Sequence, residues 1–183
     1  MRKQTRIFVC GIAGVGKSYL LSRAQATIPD SKVFRASEII GLARQNLDGE
    51  FLRNLPHDQM EASQLLLVAG FNQRMLSCTE KLVFLDGHSV IDNDHGMFPV
   101  RSSVLTDIQL DTIIHIEDDV RRIQERRTKD FARPRPARTL DQLELYQKLS
   151  IATCEEISRA LSIPLQRVLA EDELALLDQL RSL

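Results

Sequence analysis

The segment Gly11–Ser18, which reads GIAGVGKS, is the feature that most constrains the fold of this chain. It follows a short run of strand-forming apolar residues, Arg6 to Cys10, and precedes Lys17 to Ile28, which has the pattern of a helix. Glycines can adopt positive φ and bring backbone N–H groups close to one point, and a helix N-terminus adds partial positive charge. The spacing G-x-x-x-x-G-K-[ST] in this context therefore predicts a phosphate-binding loop rather than a glycine-rich turn that binds nothing.

The residue types in this loop suit a nucleoside triphosphate with its metal ion. Lys17 is predicted to reach the β- and γ-phosphates, and the Ser18 hydroxyl to ligate Mg²⁺. The residues predicted to bind ATP here are Gly11, Ala13, Gly14, Val15, Gly16, Lys17, Ser18 and Tyr19. The motif identifies a donor nucleotide and does not identify a reaction, which must be argued from other residues.

Five strand-like segments alternate with helical segments along the 183 residues. The strands are expected at residues 6–10, 32–35, 81–85, 112–116 and 165–169. Two helices are expected after the fourth strand. The first is expected to begin at Asp118 or Asp119, and the second at Thr139. This alternation predicts an α/β fold with a parallel sheet covered on both faces, in one domain. Two stretches look irregular, Gly87 to Arg101 and Thr128 to Arg138, and long loops in compact α/β domains are often functional.

Composition excludes several classes of partner. The 24 basic and 25 acidic residues give a net charge of −1, so no general attraction to nucleic acid or to an anionic membrane follows. The three cysteines form no CxxC pair, which argues against a disulfide framework or a zinc knuckle. No apolar run approaches the roughly 18 residues of a membrane-spanning helix. We therefore expect a cytoplasmic protein without a membrane partner.

A second group of polar residues follows the strand at residues 81–85, in the sequence Asp86-Gly87-His88. An acidic residue at the end of a strand beside the phosphate loop commonly holds Mg²⁺, which makes Asp86 the predicted metal ligand. The alternative for Asp86 is a turn aspartate that caps a helix. His88 is predicted to contact an acceptor, to orient Asp86 or simply to pack. His88 and His95 lack a rigid ligand spacing, so a zinc site receives little support.

An arginine-rich segment, Arg121 to Arg138, carries a local charge of +6. Its eight basic residues are Arg121, Arg122, Arg126, Arg127, Lys129, Arg133, Arg135 and Arg138, opposed within the segment by Glu125 and Asp130. Arginines on a closing lid stabilise the charge of a phosphoryl group in transfer and exclude water. A solvated helix face or an RNA-binding patch are the alternatives, although only Phe131 could serve as an aromatic platform for RNA. The lid is favoured.

These features occur in the order strand–GIAGVGKS–helix, FLDGHS, and arginine-rich segment after TIIHIEDD. In that order the chain resembles the P-loop nucleoside monophosphate kinases, and most of all the archaeal-type adenylate kinases. The resemblance implies a three-layer P-loop NTPase fold with a five-stranded parallel sheet in the order 2-3-1-4-5 and a small lid. It also implies one kinase domain over residues 1–183, with an acceptor-binding region at 36–79 and the lid at 126–139.

The resemblance also implies roles for individual residues. Lys17, Asp86, Arg126 and Arg127 would be catalytic, and Arg122 would contact the donor nucleotide. The acceptor would meet Ser37, Arg53, Gly87 and His88, with Arg53 on its phosphate, and Ser18 and Asp86 would hold Mg²⁺.

Two departures from the family stand out. The bacterial DGFPR signature is absent, because His88-Ser89-Val90 follows Gly87, and Arg101 and Arg74 are the alternative sources of the missing arginine. The four-cysteine zinc site found in the lid of some bacterial members is absent too.

The sequence therefore predicts an ATP- and Mg²⁺-dependent phosphotransferase that acts by direct in-line transfer, with a nucleoside monophosphate as its acceptor. Two alternatives stay open. One is a kinase of nucleosides or of another small molecule. The other is an adenylate-kinase-like assembly ATPase associated with RNA, because a ribosome-maturation relative also bears a histidine near this strand end.

Overall fold

A computed structural model describes residues 4–44, 57–131 and 135–181. The strands are β1 (Thr5–Cys10), β2 (Ser31–Arg35), β3 (Leu82–Asp86), β4 (Val90–Asn93), β5 (Gly96–Pro99), β6 (Thr112–Glu117) and β7 (Leu165–Leu169). The helices in the described ranges are α1 (Lys17–Thr27), α2 (Ala36–Ala43), α3 (His57–Met75), α4 (Ser102–Thr106), α5 (Val120–Lys129), α6 (Leu140–Leu161) and α7 (Glu173–Arg181).

Five strands form one sheet in the order β2-β3-β1-β6-β7. Every neighbouring pair in it is parallel. If the strands of this sheet alone are numbered along the chain, β6 and β7 become the fourth and fifth, and the order is the predicted 2-3-1-4-5. The predicted α/β fold is confirmed. The strands read as apolar runs because both faces of the sheet are covered; all six residues of β6 are buried.

Residues 87–101 are more regular than the sequence analysis suggested, since they contain an antiparallel hairpin of β4 and β5. The Asn93 side chain closes its turn, accepting hydrogen bonds from the backbone N–H groups of His95 at 2.9 Å and Gly96 at 3.1 Å. An Asn followed three residues later by a Gly with positive φ is a recognisable turn signal. The expectation of an irregular loop here was therefore wrong.

The helices after β6 begin where the sequence predicted. Asp119 caps α5 by accepting a hydrogen bond from the Arg121 backbone N–H at 2.7 Å. Thr139 opens α6 with a reciprocal capping box shared with Gln142. These caps fix the two helix ends between which the predicted lid lies.

The core consists of two apolar clusters that contain residues from alternate positions of the same strands. Phe71 of α3 lies edge-on against Phe34 of β2, with the ring centroids 5.8 Å apart. Tyr146 of α6 is buried and donates its hydroxyl hydrogen to the Val90 carbonyl at 3.1 Å, which ties the hairpin to α6. Within the described ranges, no helix is both long enough and apolar enough to cross a bilayer.

Candidate active site

The phosphate loop connects β1 to α1, and its shape depends on glycine. Gly11, Gly14 and Gly16 have φ values of 145°, 92° and 110°, which side chains of L-residues rarely allow. A Cβ atom added to Gly11 would come within 2.5 Å of the Ile116 carbonyl oxygen, so the loop also packs closely on β6. The N-terminus of α1 at Lys17 then faces the loop, as an anion site requires.

Lys17 is held inside this loop, with 7% of its surface exposed. Its Nζ donates to the Gly11 carbonyl oxygen at 2.9 Å. His88 approaches the same point, since its Nδ1 lies 3.0 Å from that carbonyl oxygen and 3.4 Å from Lys17 Nζ. The structure thus brings the predicted lysine and the predicted histidine to one place.

Asp86 ends β3 at the position predicted for it. It lies opposite Val9 of β1 on one side and Arg35 of β2 on the other. The next residue, Gly87, donates its backbone N–H to the Val9 carbonyl oxygen at 3.1 Å, and a Cβ atom there would come within 2.9 Å of the Phe8 ring. The chain therefore turns tightly at Asp86-Gly87 and presents Asp86 to the cleft beside the loop.

Ser18 and Asp86 line the same cleft and offer oxygen atoms to a hard cation. In the described ranges, no group of three or more His, Cys, Asp or Glu side chains is placed to hold a metal ion. Mg²⁺ needs few protein ligands, because water and substrate phosphates complete its octahedron. Ser18 and Asp86 therefore fit Mg²⁺ bound together with a nucleotide.

One cleft of about 870 Å³ extends from the phosphate loop past Asp86 to α2 and α3. Its lining includes Ser37 and Glu38 of α2 and Ser63 and Gln64 of α3. Ser37, Asp86, Gly87 and His88 line it, as do Arg126, Arg127 and the loop residues Ala13, Gly14, Val15, Gly16, Lys17, Ser18 and Tyr19. The structure thus gathers most of the predicted site residues around one cavity.

Three of the predicted arginines do not line the cleft, and a fourth, Arg53, lies outside the described residues. Arg122 is not among the residues that line the cleft; it pairs with Asp118 and with Glu171, each at 2.7 Å. Neither alternative for the missing acceptor arginine lines the cleft, and Arg74 instead lies over the Phe34 ring, 5.9 Å from its centroid. Arg101, the other alternative, directly precedes α4 and is not among the residues that line the cleft.

Arg126 and Arg127 pack directly on the phosphate loop. Arg126 Nη1 donates to the carbonyl oxygens of Gly14 at 3.0 Å and Val15 at 2.7 Å, and its Nη2 donates to Asp118. A Cβ atom added to Gly14 would come within 2.7 Å of Arg127 Cγ. The start of the predicted lid therefore belongs to the wall of the site in this conformation.

Three residues at the site were given no individual role in it from the sequence, although Asp118 was named as a possible helix cap and Arg135 as part of the arginine-rich segment. Asp92 pairs with Arg127 and Arg138, Asp118 pairs with Arg122 and Arg126, and Arg135 lines the cleft. The place of Asp118 at the site could have been predicted, because it directly follows the buried strand β6, much as Asp86 ends β3. Asp92 gave no such signal, because its arginine partners are 35 and 46 residues away.

The sequence is similar to known proteins over most of its length. The model of the AAA domain family matches residues 10–144. An adenylate kinase of Sulfurisphaera tokodaii is 26% identical over 137 residues, which are 69% of this chain and 70% of that protein.

Solved structures show the same fold at low sequence identity. A shikimate kinase from Acinetobacter baumannii in complex with shikimate has a TM-score of 0.59 at 13% identity, covering 98% of this chain and 92% of its own. A tunicamycin resistance protein from Deinococcus radiodurans has a TM-score of 0.55 at 14% identity, covering 88% and 97%.

The predicted resemblance to P-loop kinases of the archaeal adenylate kinase type is thereby confirmed. The expectation of an enzyme agrees with these findings as well, because the relative matched by sequence is an adenylate kinase. With its phosphate loop, its parallel sheet and a match over residues 10–144, the chain belongs to the AAA domain family of P-loop proteins.

Proposed function

We propose that this protein is an ATP- and Mg²⁺-dependent phosphotransferase whose acceptor is a nucleoside monophosphate of the adenylate type. The observation that carries the proposal is the continuity of the cleft, which joins the phosphate loop to Ser37 and α3 with Asp86 between them. Its volume of about 870 Å³ lies in the upper part of the range of roughly 300–1,000 Å³ typical of small-molecule sites. A donor and an acceptor can then meet beside Asp86.

Phosphoryl transfer requires the two phosphates to be aligned and their charge to be neutralised, with little covalent work for the protein. When ATP binds, Lys17 Nζ exchanges its bond to the Gly11 carbonyl oxygen for the β- and γ-phosphate oxygens. Ser18 and Asp86 would hold Mg²⁺, which would further neutralise the phosphate charge. The loop N–H groups and the start of α1 orient the donor.

Two arginines at this site have hydrogen-bond donors without a partner in the described residues. Arg127 Nη1 and Arg135 Nη1 are buried and lack a hydrogen-bond partner within the described residues, and both arginines line the cleft. A buried donor without a partner costs about 1–3 kcal/mol, which an incoming phosphate oxygen would recover. These groups suit the charge that develops on the transferred phosphoryl.

A phosphate acceptor explains why no general base is needed. The attacking oxygen of a nucleoside monophosphate already carries negative charge, so the site has to position it rather than remove a proton. The similarity to an archaeal adenylate kinase favours this acceptor class. The likeness to shikimate kinase, at 13% identity, concerns the fold alone. Cytoplasmic location stays a prediction.

The alternative of an RNA-associated ATPase receives less support from the arginine segment. Arg122, Arg126, Arg127 and Arg138 pair with the carboxylates of Asp92, Asp118 and Glu171, which lie outside the segment. These three carboxylates lower the local charge from +6 to about +3 and hold four of the arginines in ion pairs within the fold. An RNA-binding patch needs basic side chains that are exposed to solvent and can contact the phosphates of the RNA backbone.

A panel of acceptors assayed with ATP and Mg²⁺ tests the proposal. It should contain the nucleoside monophosphates, nucleosides, a hydroxyl acid such as shikimate, and structured RNA, with the products separated by chromatography. We expect a nucleoside diphosphate to form from one or more monophosphates and little ATP consumption without them. ATP hydrolysis that is the same with every acceptor, or that only RNA stimulates, would refute the proposal.

A further inference from the structure

Asp92 is a buried carboxylate in the hairpin that follows His88, and only 3% of its side chain is exposed. Its Oδ1 accepts hydrogen bonds from Arg138 Nη2 at 2.8 Å and Nε at 3.1 Å. Its Oδ2 accepts one from Arg127 Nη2 at 3.4 Å. A carboxylate this deeply buried is tolerated because two guanidinium groups surround it.

The two arginines stand at opposite ends of the loop between α5 and α6. Arg127 lies near the end of α5, and Arg138 directly precedes Thr139, which caps α6. Arg138 Nη2 also donates to the Asn93 carbonyl oxygen at 2.8 Å, and the Asn93 side chain closes the hairpin turn. One carboxylate thus connects the hairpin that follows β3 to both ends of the predicted lid.

Asp92 contacts one edge of the Arg127 guanidinium, while Nη1 on the other edge has no partner in the described residues. Arg127 Nη2 is shared between Asp92 and the Pro136 carbonyl oxygen, the latter at 2.8 Å. Nη1 is buried without a partner in the described residues, and the stem of the side chain rests on Gly14 of the phosphate loop. Because a guanidinium is planar and rigid, holding one edge sets the position of the other.

The charge of Asp92 also stabilises the buried Arg127 guanidinium. Burial lowers the pKa of the Arg127 guanidinium, and the negative charge of Asp92 opposes that effect. Removing the carboxylate charge would leave a buried cation compensated less well, and the guanidinium would gain by moving toward solvent.

We propose that Asp92 is a positioning residue for phosphoryl transfer, whose buried carboxylate holds Arg127 so that the unpaired Nη1 of its guanidinium meets the transferred phosphoryl oxygens. This inference rests on the proposed function, because it requires a phosphoryl group to be transferred in the cleft. Asp92 itself does not touch the nucleotide. Its effect should therefore appear in kcat and pass through Arg127.

The test compares Asp92→Asn, Arg127→Ala and the double variant. Asp92→Asn keeps the size of the side chain and removes its charge. We expect it to lower kcat by on the order of tenfold or more, with the KM for ATP changed by less than about threefold. In the double variant the loss should stay close to that of Arg127→Ala alone, because both changes remove the same contact. Losses that multiply, or a kcat within about twofold of the wild type for Asp92→Asn, would overturn the proposal.

Glu117→Gln is the matched control. Glu117 is also a carboxylate that holds an arginine, since Arg167 Nε and Nη2 donate to it at 2.5 and 2.7 Å, but it does not line the cleft. We expect its kcat to equal that of the wild type. If Asp92→Asn does not fold, Asp92→Glu carries the test, because it keeps the charge and moves the carboxylate by one methylene. A kcat equal to wild type in that variant would overturn the proposal.

A binding measurement separates this inference from the proposed function. The affinity for ADP with aluminium fluoride, divided by the affinity for ADP alone, reports contacts to a phosphoryl mimic without any acceptor. Asp92→Asn should lower that ratio on the order of tenfold, as should Arg127→Ala. An unchanged ratio in a folded variant would refute the role of Asp92. If no acceptor is phosphorylated by the wild type, the proposed function fails while this ratio still decides the role of Asp92.

Discussion

Replacing Gly14 by alanine tests whether Arg127 must rest on the phosphate loop for the site to work. The φ of Gly14 is 92°, and a Cβ atom would lie 2.7 Å from Arg127 Cγ. Ordinary van der Waals contact begins at 3.4 Å, so Arg127 or the loop must withdraw by about 0.7 Å. The positive φ adds a backbone cost of about 1–3 kcal/mol.

The expected result has two parts. The free energy of unfolding should fall by about 1–3 kcal/mol because of the backbone strain. Since a misplacement of about 1 Å can cost on the order of 100-fold in rate, kcat should fall by roughly 10- to 100-fold. Urea unfolding measures the first quantity and steady-state transfer kinetics the second.

Gly96→Ala is the control for this substitution. Gly96 has a φ of 145° at the hairpin turn, and the nearest atom to its added Cβ is in the Phe98 ring at 3.7 Å, an ordinary contact. It should lose a similar amount of stability and keep its kcat. If Gly14→Ala transfers phosphate at the rate of Gly96→Ala, the contact between Arg127 and the loop has no part in catalysis.

Three further substitutions test other parts of the account. Lys17→Ala should reduce turnover by on the order of 100-fold or more with the fold intact by circular dichroism, because Lys17 makes charge-assisted contacts to the transferring phosphates; undiminished kinetics in the folded variant would contradict the phosphate-loop assignment. Asp86→Asn should lower kcat far more than ATP affinity across a Mg²⁺ titration, since the loop backbone carries much of the binding; equal losses at every Mg²⁺ concentration would make Asp86 structural. Glu117→Gln should lower the free energy of unfolding at pH values above about 4.5. The difference between the variant and the wild type should disappear as the pH falls toward 2. Burial raises the pKa of Glu117, but hydrogen bonds from Arg167 and His115 lower it by more, to about 2. A depressed carboxyl pKa stabilises the fold when the group is ionised. Because Arg167 is half-exposed, the difference between variant and wild type at pH 7 should be at most about 1 kcal/mol in urea unfolding. Equal stability of the two proteins at pH 7 and at pH 3 would refute this assignment.

The sheet and the phosphate loop could be predicted because their signals are local. The loop motif is contiguous, each strand is an apolar run of about five residues, and Asp119 and Thr139 carry the cap chemistry of their helices in their own side chains. Asp86 was found for the same reason, since it ends an apolar strand next to β1. Parallel pairing of such runs then leaves few possible arrangements.

The remainder of the site depends on contacts between distant parts of the chain. The arginine segment was counted with only its own two acidic residues, yet Asp92 in the hairpin and Asp118 after β6 add two carboxylates that pair with its arginines. A charge count along the sequence cannot show which arginines will form ion pairs with distant carboxylates in the folded protein. Arg122 illustrates the converse, because it stands in the predicted helix and turns toward Glu171 rather than lining the cleft.

The central claim is that the protein transfers a phosphoryl group directly from ATP to a second ligand in the same cleft. A single-turnover experiment with γ-labelled ATP, Mg²⁺, excess enzyme and AMP measures this most directly, by following where the label goes. We expect the label to appear in ADP formed from AMP, at a rate that Lys17→Ala reduces, with no label retained on the protein. Label that passes to inorganic phosphate at the same rate with and without AMP, or that stays on the protein, would contradict direct transfer.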